Sequence, residues 1–469
     1  MMLDTRILCR AASGRLISGD HRPLGPISID SRTTPPDATF FCIRGPRFDG
    51  HRFADRAAAA GARVVVADRR GVTALPAGLL DAGVTVIVVA DTIRALGRLA
   101  AAARVQFKGT VIGLTGSSGK TTTKELIAAV LRVAGPVLAT EGNLNNELGV
   151  PLTLLRLTDE HRYAVIEMGM SARGEISYLA SLAMPRIGVI TTVGAAHLQG
   201  LGSVRAIARA KGELLGALPS DGLAIIPSHV RYPWILTGGL RAPLMTVGER
   251  EVDEIRLIET RATPDGITGL VEADGHRELL TLRLAGRHNL HNALLALAVG
   301  RELGVPLADA CRALAAVDPP AMRGELRTLP DGARVVLDCY NANPQSMRVS
   351  IATFVEHAQD GLLVLGDMLE LGPTGPAAHR EIGALIAALP GAIIGDLTLV
   401  AVGPLSEQIV TAARAGGMPE ARALHAEDAA EAARAVARLR RPGQPILLKA
   451  SRGIHLERVY TALTEESAP

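Results

Sequence analysis

Only five of the 50 basic residues in this 469-residue chain are lysines: Lys108, Lys120, Lys124, Lys211 and Lys449. Where a sequence otherwise chooses arginine, a retained lysine marks a task suited to a compact primary amine rather than a planar guanidinium. For Lys108 and Lys124 a plain surface role stays open. Lys120 carries the clearest chemistry. It ends the run Gly113-Leu114-Thr115-Gly116-Ser117-Ser118-Gly119 and is followed by Thr121, Thr122 and Thr123. A β-branched stretch, Thr110-Val111-Ile112, leads in, and a helical pattern leads out. A strand, a glycine loop and a helix in that order aim backbone N–H groups and the helix's partial positive charge at an anion. The pattern points to a nucleotide phosphate site, with Lys120 on the β/γ-phosphates and the Thr121 hydroxyl on Mg²⁺. The spacing misses the generic NTPase loop by one place, because Leu114 stands where its first glycine is usual.

Further polar groups fall at the ends of apolar runs. Glu167 closes Tyr163-Ala164-Val165-Ile166. A carboxylate buried there needs a cation, either a magnesium ion shared with the nucleotide or an arginine. His197 follows the buried run from Ile187 to Val193. It is either a structural histidine or part of the crevice at strand carboxyl ends where open parallel sheets bind ligands. Lys211 interrupts the stripe Val204, Ile207, Leu214, Leu215, Leu218 of a helix expected over Ser203 to Leu218. An ammonium in that stripe needs a carboxylate partner or a lowered pKa. A neutral amine could also combine with CO₂ to give a carbamate able to ligate magnesium, a role arginine could not readily take. Asn143, Asn145 and Asn146 gather amides in a segment of little helix or strand character. Asn289 and Asn292, three apart near the start of a helix, could read an adenine edge or cap that helix.

The elements that must position these groups make an α/β protein of about three domains, given the chain length. Residues 1–106 alternate short strands with an alanine-rich helix, Phe53 to Gly61, and carry two polar loops. The loops, Asp30-Ser31-Arg32 and Gly45 to His51, are either surface turns or a site. Residues 107–318 hold the glycine loop, a parallel sheet and a β meander expected over Met245 to Leu284. The paired prolines of Asp318-Pro319-Pro320 stop helices and mark a linker. Residues 319–469 restart as a doubly wound, Rossmann-like domain. Its strand ends gather Asp338 with Tyr340, Asn341 and Asn343, then Asp367 with Glu370, then Lys449 with Ser451 and Arg452.

Composition excludes other classes. A net charge of +3 and 3% aromatic content offer neither a basic stripe nor a stacking platform for nucleic acid. Apolar runs such as Val84 to Ala90 fall far short of the ~20 residues of a membrane span. The start lacks a signal-peptide core, so a cytosolic protein is expected. Cys9, Cys42, Cys311 and Cys339 have no metal spacing and read as reduced singletons.

In order along the chain, TGSSGKTTTK, EGNLNNELGVPLTLL, EMGMSARGEI, TTVGAAHLQGLGS, RAKGELL, GRHNLHNA, CYNANPQSM, LGDMLELG and KASRGIHLERV resemble the Mur ligase family. The likeness covers nearly the whole chain. An Asp-Asn-Pro-Arg signature, expected of the branch adding the third residue, is absent, and the pattern resembles the dipeptide-adding branch. The resemblance implies ATP-dependent joining of D-alanyl-D-alanine to UDP-N-acetylmuramoyl-tripeptide through an acyl phosphate, by a monomer. It implies that Gly116, Ser117, Ser118, Gly119, Lys120, Thr121 and Thr122 bind ATP, with Asn289 and Asn292 near adenine. Arg323 would approach the phosphates and Asp338 the ribose region. Two magnesium sites are implied, held by Thr121, Glu167, His197 and a carbamylated Lys211. Residues 1–106 become the UDP-substrate domain, with Ser31, Arg32, Asp49 and His51; Asn145 and Asn146 are assigned to the same substrate. Tyr340, Asn341, Asn343, Ser451 and Arg452 are assigned to the amine acceptor. Leu337 stands where relatives often have aspartate, and Ala450 where glycine usually precedes Ser451.

Overall fold

Apolar runs of a few residues, separated by helices, collect into three sheets in a computed structural model. It describes residues 3–465 except 47, 80–82, 196–197, 264–265, 359, 390–391 and 393–394. The expected α/β architecture in three units is the one that forms.

The first sheet contains β1 (Arg15–Ser18), β2 (Ile27–Ser28), β3 (Thr39–Phe41), β4 (Val64–Asp68) and β5 (Thr85–Val89), in the order β1-β5-β4-β3-β2. Only β1 pairs antiparallel. Val64 to Ala67 are fully buried, as a strand covered on both faces requires. A helix not anticipated from the sequence, Thr5–Ala12, is started by the Asp4 carboxylate, which accepts the Ile7 N–H at 2.8 Å. The helix Thr92–Gln106 leads to the next unit, where the Arg104 guanidinium donates to the carbonyls of Ala183 and Met184 at 2.7 and 3.1 Å.

The central sheet holds β6 (Thr110–Thr115), β7 (Val137–Ala139), β8 (Tyr163–Glu167), β9 (Ile187–Ile190) and β10 (Leu223–Pro227). It continues with β11 (Leu244–Gly248), β12 (Ile255–Thr263), β13 (Gly266–Ala273) and β14 (His276–Leu282), in the order β14-β13-β12-β11-β10-β9-β6-β8-β7. The meander expected from Met245 onward is antiparallel only from β12, because β11 and β12 pair parallel. Asp253 ties their connection by accepting from Ser228 Oγ, Thr246 Oγ1 and the Arg250 N–H, each at 2.8 Å. Helices Lys120–Arg132 and Arg287–Glu302 cover one face and Val204–Gly216 the other. Leu126, Leu131 and Leu294 are wholly buried there, and each such side chain contributes roughly 1.5–3 kcal/mol of apolar burial.

The third sheet holds β15 (Glu325–Thr328), β16 (Arg334–Leu337), β17 (Leu362–Gly366), β18 (Thr398–Val402), β19 (Ala423–Ala426) and β20 (Ile446–Lys449). Its order is β15-β16-β20-β17-β18-β19, parallel except for β15. The unanticipated β15 is a largely exposed edge with no apolar run to betray it. No helix among the described residues is long and apolar enough to cross a membrane.

Candidate active site

In the middle sheet β6 lies between β8 and β9, and both neighbours end level with it. The register sets Leu114 opposite Glu167 and Thr115 opposite Ile190. The loop from Gly116 to Gly119 therefore begins between the ends of two flanking strands. Gly119 has φ +78, a backbone region that an L side chain occupies only under strain, and it starts the helix carrying Lys120 and Thr121. Hydroxyls sequence reasoning had not singled out hold this turn. Thr192 Oγ1 accepts the Ser118 N–H at 2.9 Å, and Thr191 Oγ1 donates to the Ser118 carbonyl at 2.5 Å. Two threonines directly after a buried strand, facing a glycine loop, were the available signal.

Glu167 is 1% exposed. Its carboxylate accepts from Thr121 Oγ1 at 3.0 Å and from Asn145 Nδ2 at 2.8 Å. The arginine alternative is not realised among the described residues: two neutral donors meet Glu167 instead, with Lys120 near enough to act through charge. Lys120 donates to the Gly116 carbonyl at 3.0 Å. Burial lowers its pKa, and Glu167 opposes that shift. Lys211 is 1% exposed, and its amine has no hydrogen bond or ion pair among the described residues. Burial, reinforced by the nearby positive charge of Lys120, takes its pKa well below the ordinary lysine value. The expected choice between a carboxylate partner and a lowered pKa thus falls on the second. His197 lies outside the described residues.

A cleft of about 1360 Å³ opens over these strand ends. The loop and helix start line it from Ser117 to Thr122, as do Glu167, Asn145 and Asn146. Asn289 and Asn292 line it too, as do Arg323, Asp338 and Tyr340. Asn341, Asn343, Ser451 and Arg452 complete the acceptor group on its wall. Ile93 and Arg94, from the start of the helix Thr92–Gln106, reach the same cleft. Gly116 and Lys211 do not line it.

The asparagine pair is not an N-cap. Asn289 Nδ2 donates to the Ala285 carbonyl at 2.8 Å and its Oδ1 accepts from Asn292 Nδ2 at 3.2 Å, while Gly286 caps the helix without a side chain. The Arg323 guanidinium lies 4.1 Å from the centre of the Tyr340 ring, a cation–π contact. Asp338 Oδ2 accepts from Lys449 Nζ at 2.7 Å and from Ser350 Oγ, leaving Oδ1 without a partner among the described residues.

Several assignments need correction. His51 is fully buried: its Nδ1 donates to Asp49 at 2.6 Å, and its Nε2 accepts the Asp68 N–H at 3.0 Å. With both nitrogens engaged inside the protein, it shapes the loop and cannot touch a ligand. The Ser451 hydroxyl is spent on the Leu369 N–H (3.0 Å) and the Ala342 carbonyl (3.3 Å), so it ties the segment after β20 to those that follow β17 and β16. The Asn343 carboxamide oxygen caps the helix Pro344–Val355 in a reciprocal box with Ser346, which leaves only its NH₂ group to face the cleft. Asn146 Oδ1 likewise accepts the N–H groups of Leu148 and Gly149. Lys124 is not a surface residue: at 1% exposure it donates to the Thr140 carbonyl at 2.5 Å and pairs with Glu125 at 2.8 Å. Ser31, Arg32 and Asp49 sit away from the cleft, with Arg32 paired to Asp30 at 2.6 Å.

Three family models match this chain in order: "Mur ligase family, catalytic domain" over residues 25–104, "Mur ligase middle domain" over 114–300 and "Mur ligase, glutamate ligase domain" over 322–452. The chain belongs to the Mur ligase family. Among its members, UDP-N-acetylmuramoyl-tripeptide–D-alanyl-D-alanine ligase of Escherichia coli (strain K12) is 35% identical, over 96% of this chain and 96% of that relative. A crystal structure of MurF from Acinetobacter baumannii superposes with a TM-score of 0.87 at 31% identity, covering 99% of both chains. MurF ligase from Thermotoga maritima, solved in complex with ADP, superposes with a TM-score of 0.80 at 27% identity over 94% of this chain and 97% of that one. In this Mur ligase, therefore, the glycine loop and the C-terminal strand ends share one cleft within a family architecture preserved along nearly the whole length.

Proposed function

We propose that this chain is an ATP-dependent, ADP-forming ligase that joins D-alanyl-D-alanine to UDP-N-acetylmuramoyl-tripeptide in peptidoglycan precursor synthesis. One observation carries the reading: the glycine loop, Glu167 and the C-terminal strand ends face a single cleft, in a chain whose full-length relatives bear that activity in their names.

A carboxylate is a poor electrophile and must be activated before an amine can attack it. An oxygen of the tripeptide's terminal carboxylate attacks the γ-phosphorus of ATP, the bond to the β,γ-bridging oxygen breaks, and an acyl phosphate and ADP result. The amine of D-alanyl-D-alanine then adds to the acyl carbon, and the tetrahedral intermediate expels phosphate as the nitrogen loses a proton. The protein contributes positioning and charge stabilisation. The end of the loop at Gly119 and the start of the helix at Lys120, Thr121 and Thr122 cradle the phosphates, while Gly116, Ser117 and Ser118 shape the turn that presents them. Lys120 offsets charge on the transferring phosphoryl group. Asn289 and Asn292 face adenine, Arg323 the phosphates, and the free Oδ1 of Asp338 the ribose. Tyr340, Asn341, the Asn343 amide and Arg452 receive the dipeptide. Closure over the cleft excludes water from the acyl phosphate.

The residues fit magnesium. The Thr121 hydroxyl and the Glu167 carboxylate, hard oxygen ligands, face each other at 3.0 Å. Among the described residues no three His, Cys, Asp or Glu side chains converge as ligands, which suits an ion that usually keeps water and substrate phosphate in its shell. Thr121, Glu167, His197 and a carbamylated Lys211 would hold two such ions, and magnesium when bound neutralises phosphate charge. The suppressed basicity of Lys211 supports carbamylation: its nitrogen lone pair adds to CO₂ and a proton leaves. The resulting anion offsets the positive charge of Lys120.

The proposed domains are 1–106 for the uridine diphosphate substrate, 107–318 for ATP and 319–469 for the acceptor. Ser31, Arg32 and Asp49 meet the uridine diphosphate end, His51 orients Asp49, and Asn145 and Asn146 meet the same substrate at the cleft. The enzyme acts as a cytoplasmic monomer and binds no nucleic acid. The test is phosphate release from ATP with UDP-N-acetylmuramoyl-tripeptide, with and without D-alanyl-D-alanine. Release that requires the dipeptide is expected; equal release with single amino acids, or none, would sink the reading.

A further inference from the structure

We propose that Glu370 is a catalytic residue of this ligase, the base that takes the proton shed by the dipeptide's amine as the new bond forms; the inference rests on the ligase reading above. Glu370 belongs to the segment that follows β17, and that segment is pinned almost residue by residue. The Asp367 carboxylate, buried, accepts from the Ser406 N–H at 2.8 Å and from the Ser406 hydroxyl at 2.6 Å. The Met368 N–H donates to His379 Nε2 and the Leu369 N–H to Ser451 Oγ, both at 3.0 Å. Met368 and Leu371 are buried in the core of the third unit. Between them Glu370 is exposed and lines the cleft, at φ +65. An L side chain occupies that left-handed region only under strain, which persists where the surrounding structure imposes it and gathers at functional sites.

Its surroundings on two sides fix what this carboxylate serves. On one side is the acceptor group. Leu369 is tied to Ser451, and a Cβ on Gly453 would lie 3.0 Å from Leu369 Cδ1, so Glu370 follows directly on the contact with the turn of Ser451, Arg452 and Gly453. On the other side is the phosphate loop. Burial lowers the Lys120 pKa, and the charges of Glu167 and Glu370 oppose that shift. Glu167 is held by Thr121 and Asn145 and suits magnesium. Glu370 comes from the other unit, between the wall assigned to the dipeptide and the lysine assigned to the phosphoryl group. Asn341, Asn343 and Arg452 bring amides and a permanent cation to that wall; Glu370 brings a group able to accept a proton. The neutral amine's lone pair forms the N–C bond to the acyl carbon, the carbonyl pair moves to oxygen, and the nitrogen becomes cationic. One nitrogen proton passes to a Glu370 oxygen. The carbonyl then re-forms, and phosphate leaves with the pair of the broken C–O bond. Glu370 returns its proton to solvent as product departs.

The test offers two nucleophiles to one acyl phosphate. Hydroxylamine is uncharged near neutral pH and attacks acyl phosphates without help from a base, so hydroxamate formed from ATP and UDP-N-acetylmuramoyl-tripeptide reports activation alone. Glu370→Gln is close in size and lies at an exposed position, so the fold should persist, as thermal unfolding will check. It is expected to lower kcat for ligation of D-alanyl-D-alanine about a hundredfold, while hydroxamate formation and the KM for ATP stay within about threefold of wild type. Ligation within about threefold of wild type in Glu370→Gln overturns the proposal. So does a parallel loss of hydroxamate, which would put Glu370 in phosphoryl transfer or in the packing of its segment rather than at the amine. A wild type that forms no hydroxamate and releases no phosphate with the dipeptide would instead sink the ligase reading, and this role for Glu370 with it.

Discussion

At the scale of single residues, the choice of lysine over arginine carries physical content. Lys124, Lys211 and Lys449 are buried, and Lys120 sits at the phosphate loop; Lys108 alone is exposed. Each buried amine but one has a fixed acceptor: Lys124 the Thr140 carbonyl, Lys449 the Asp338 carboxylate. Lys211 is the exception: no acceptor among the described residues holds its amine, and burial lowers its pKa. Lys211→Ala is predicted to abolish ligation, with partial recovery when acetate or formate supplies the missing anion; undiminished phosphate release in that variant would remove the carbamate from the mechanism. A second prediction concerns the N-terminal loop. Hydrogen bonding to the Arg32 guanidinium lowers the Asp30 pKa from 3.8 to about 2. A carboxylate depressed in the folded state adds stability above its ordinary value, and that contribution is lost as pH falls through about 2. In Arg32→Ala the Asp30 titration should move back up toward the ordinary carboxylate range, as followed by carbon-13 NMR of its carboxyl group. A titration that does not move would show that the pair is not what holds it.

At the scale of elements, function depends on how a strand hands over to a helix. Gly119 reaches φ +78 at the handover, and a Cβ there would lie 2.7 Å from Asn292 Oδ1. A left-handed L-residue costs roughly 1–2 kcal/mol, so Gly119→Ala is predicted to weaken ATP binding by about tenfold. Calorimetric titration measures this, and an unchanged affinity would mean that the loop relaxes freely. The helix Arg287–Glu302 supports the loop from one face of the sheet, and Leu294 within it is wholly buried. Leu294→Ala should cost about 2–5 kcal/mol of stability, seen as a lower urea midpoint for the central unit. A midpoint equal to wild type would show that the cavity collapses without penalty.

At the scale of the whole molecule, three sheets each carry polar residues at their strand ends, and ligation needs the ends of the second and third sheets face to face. The long cleft between them, edged by Ile93 and Arg94 of the first unit, provides that arrangement within one chain. Sedimentation at micromolar concentration is therefore predicted to give one species of 49.0 kDa; a stable dimer would contradict the proposed monomer.

The sequence alone determined the strand, glycine loop and helix that frame the proposed phosphate site, because these are local structures read from neighbouring residues. Glu167 was legible for the same reason, since a carboxylate closing an apolar strand is already at a strand end. Contacts between distant segments were not legible. That His51 is sealed between Asp49 and Asp68, that the Ser451 hydroxyl is spent on Leu369 and Ala342 far along the chain, and that Gln345 of one sheet's helix rests against Gly194 of another are facts of packing. Local patterns name the donors and acceptors, but which of them remain free for a ligand depends on what the rest of the chain brings within hydrogen-bonding distance.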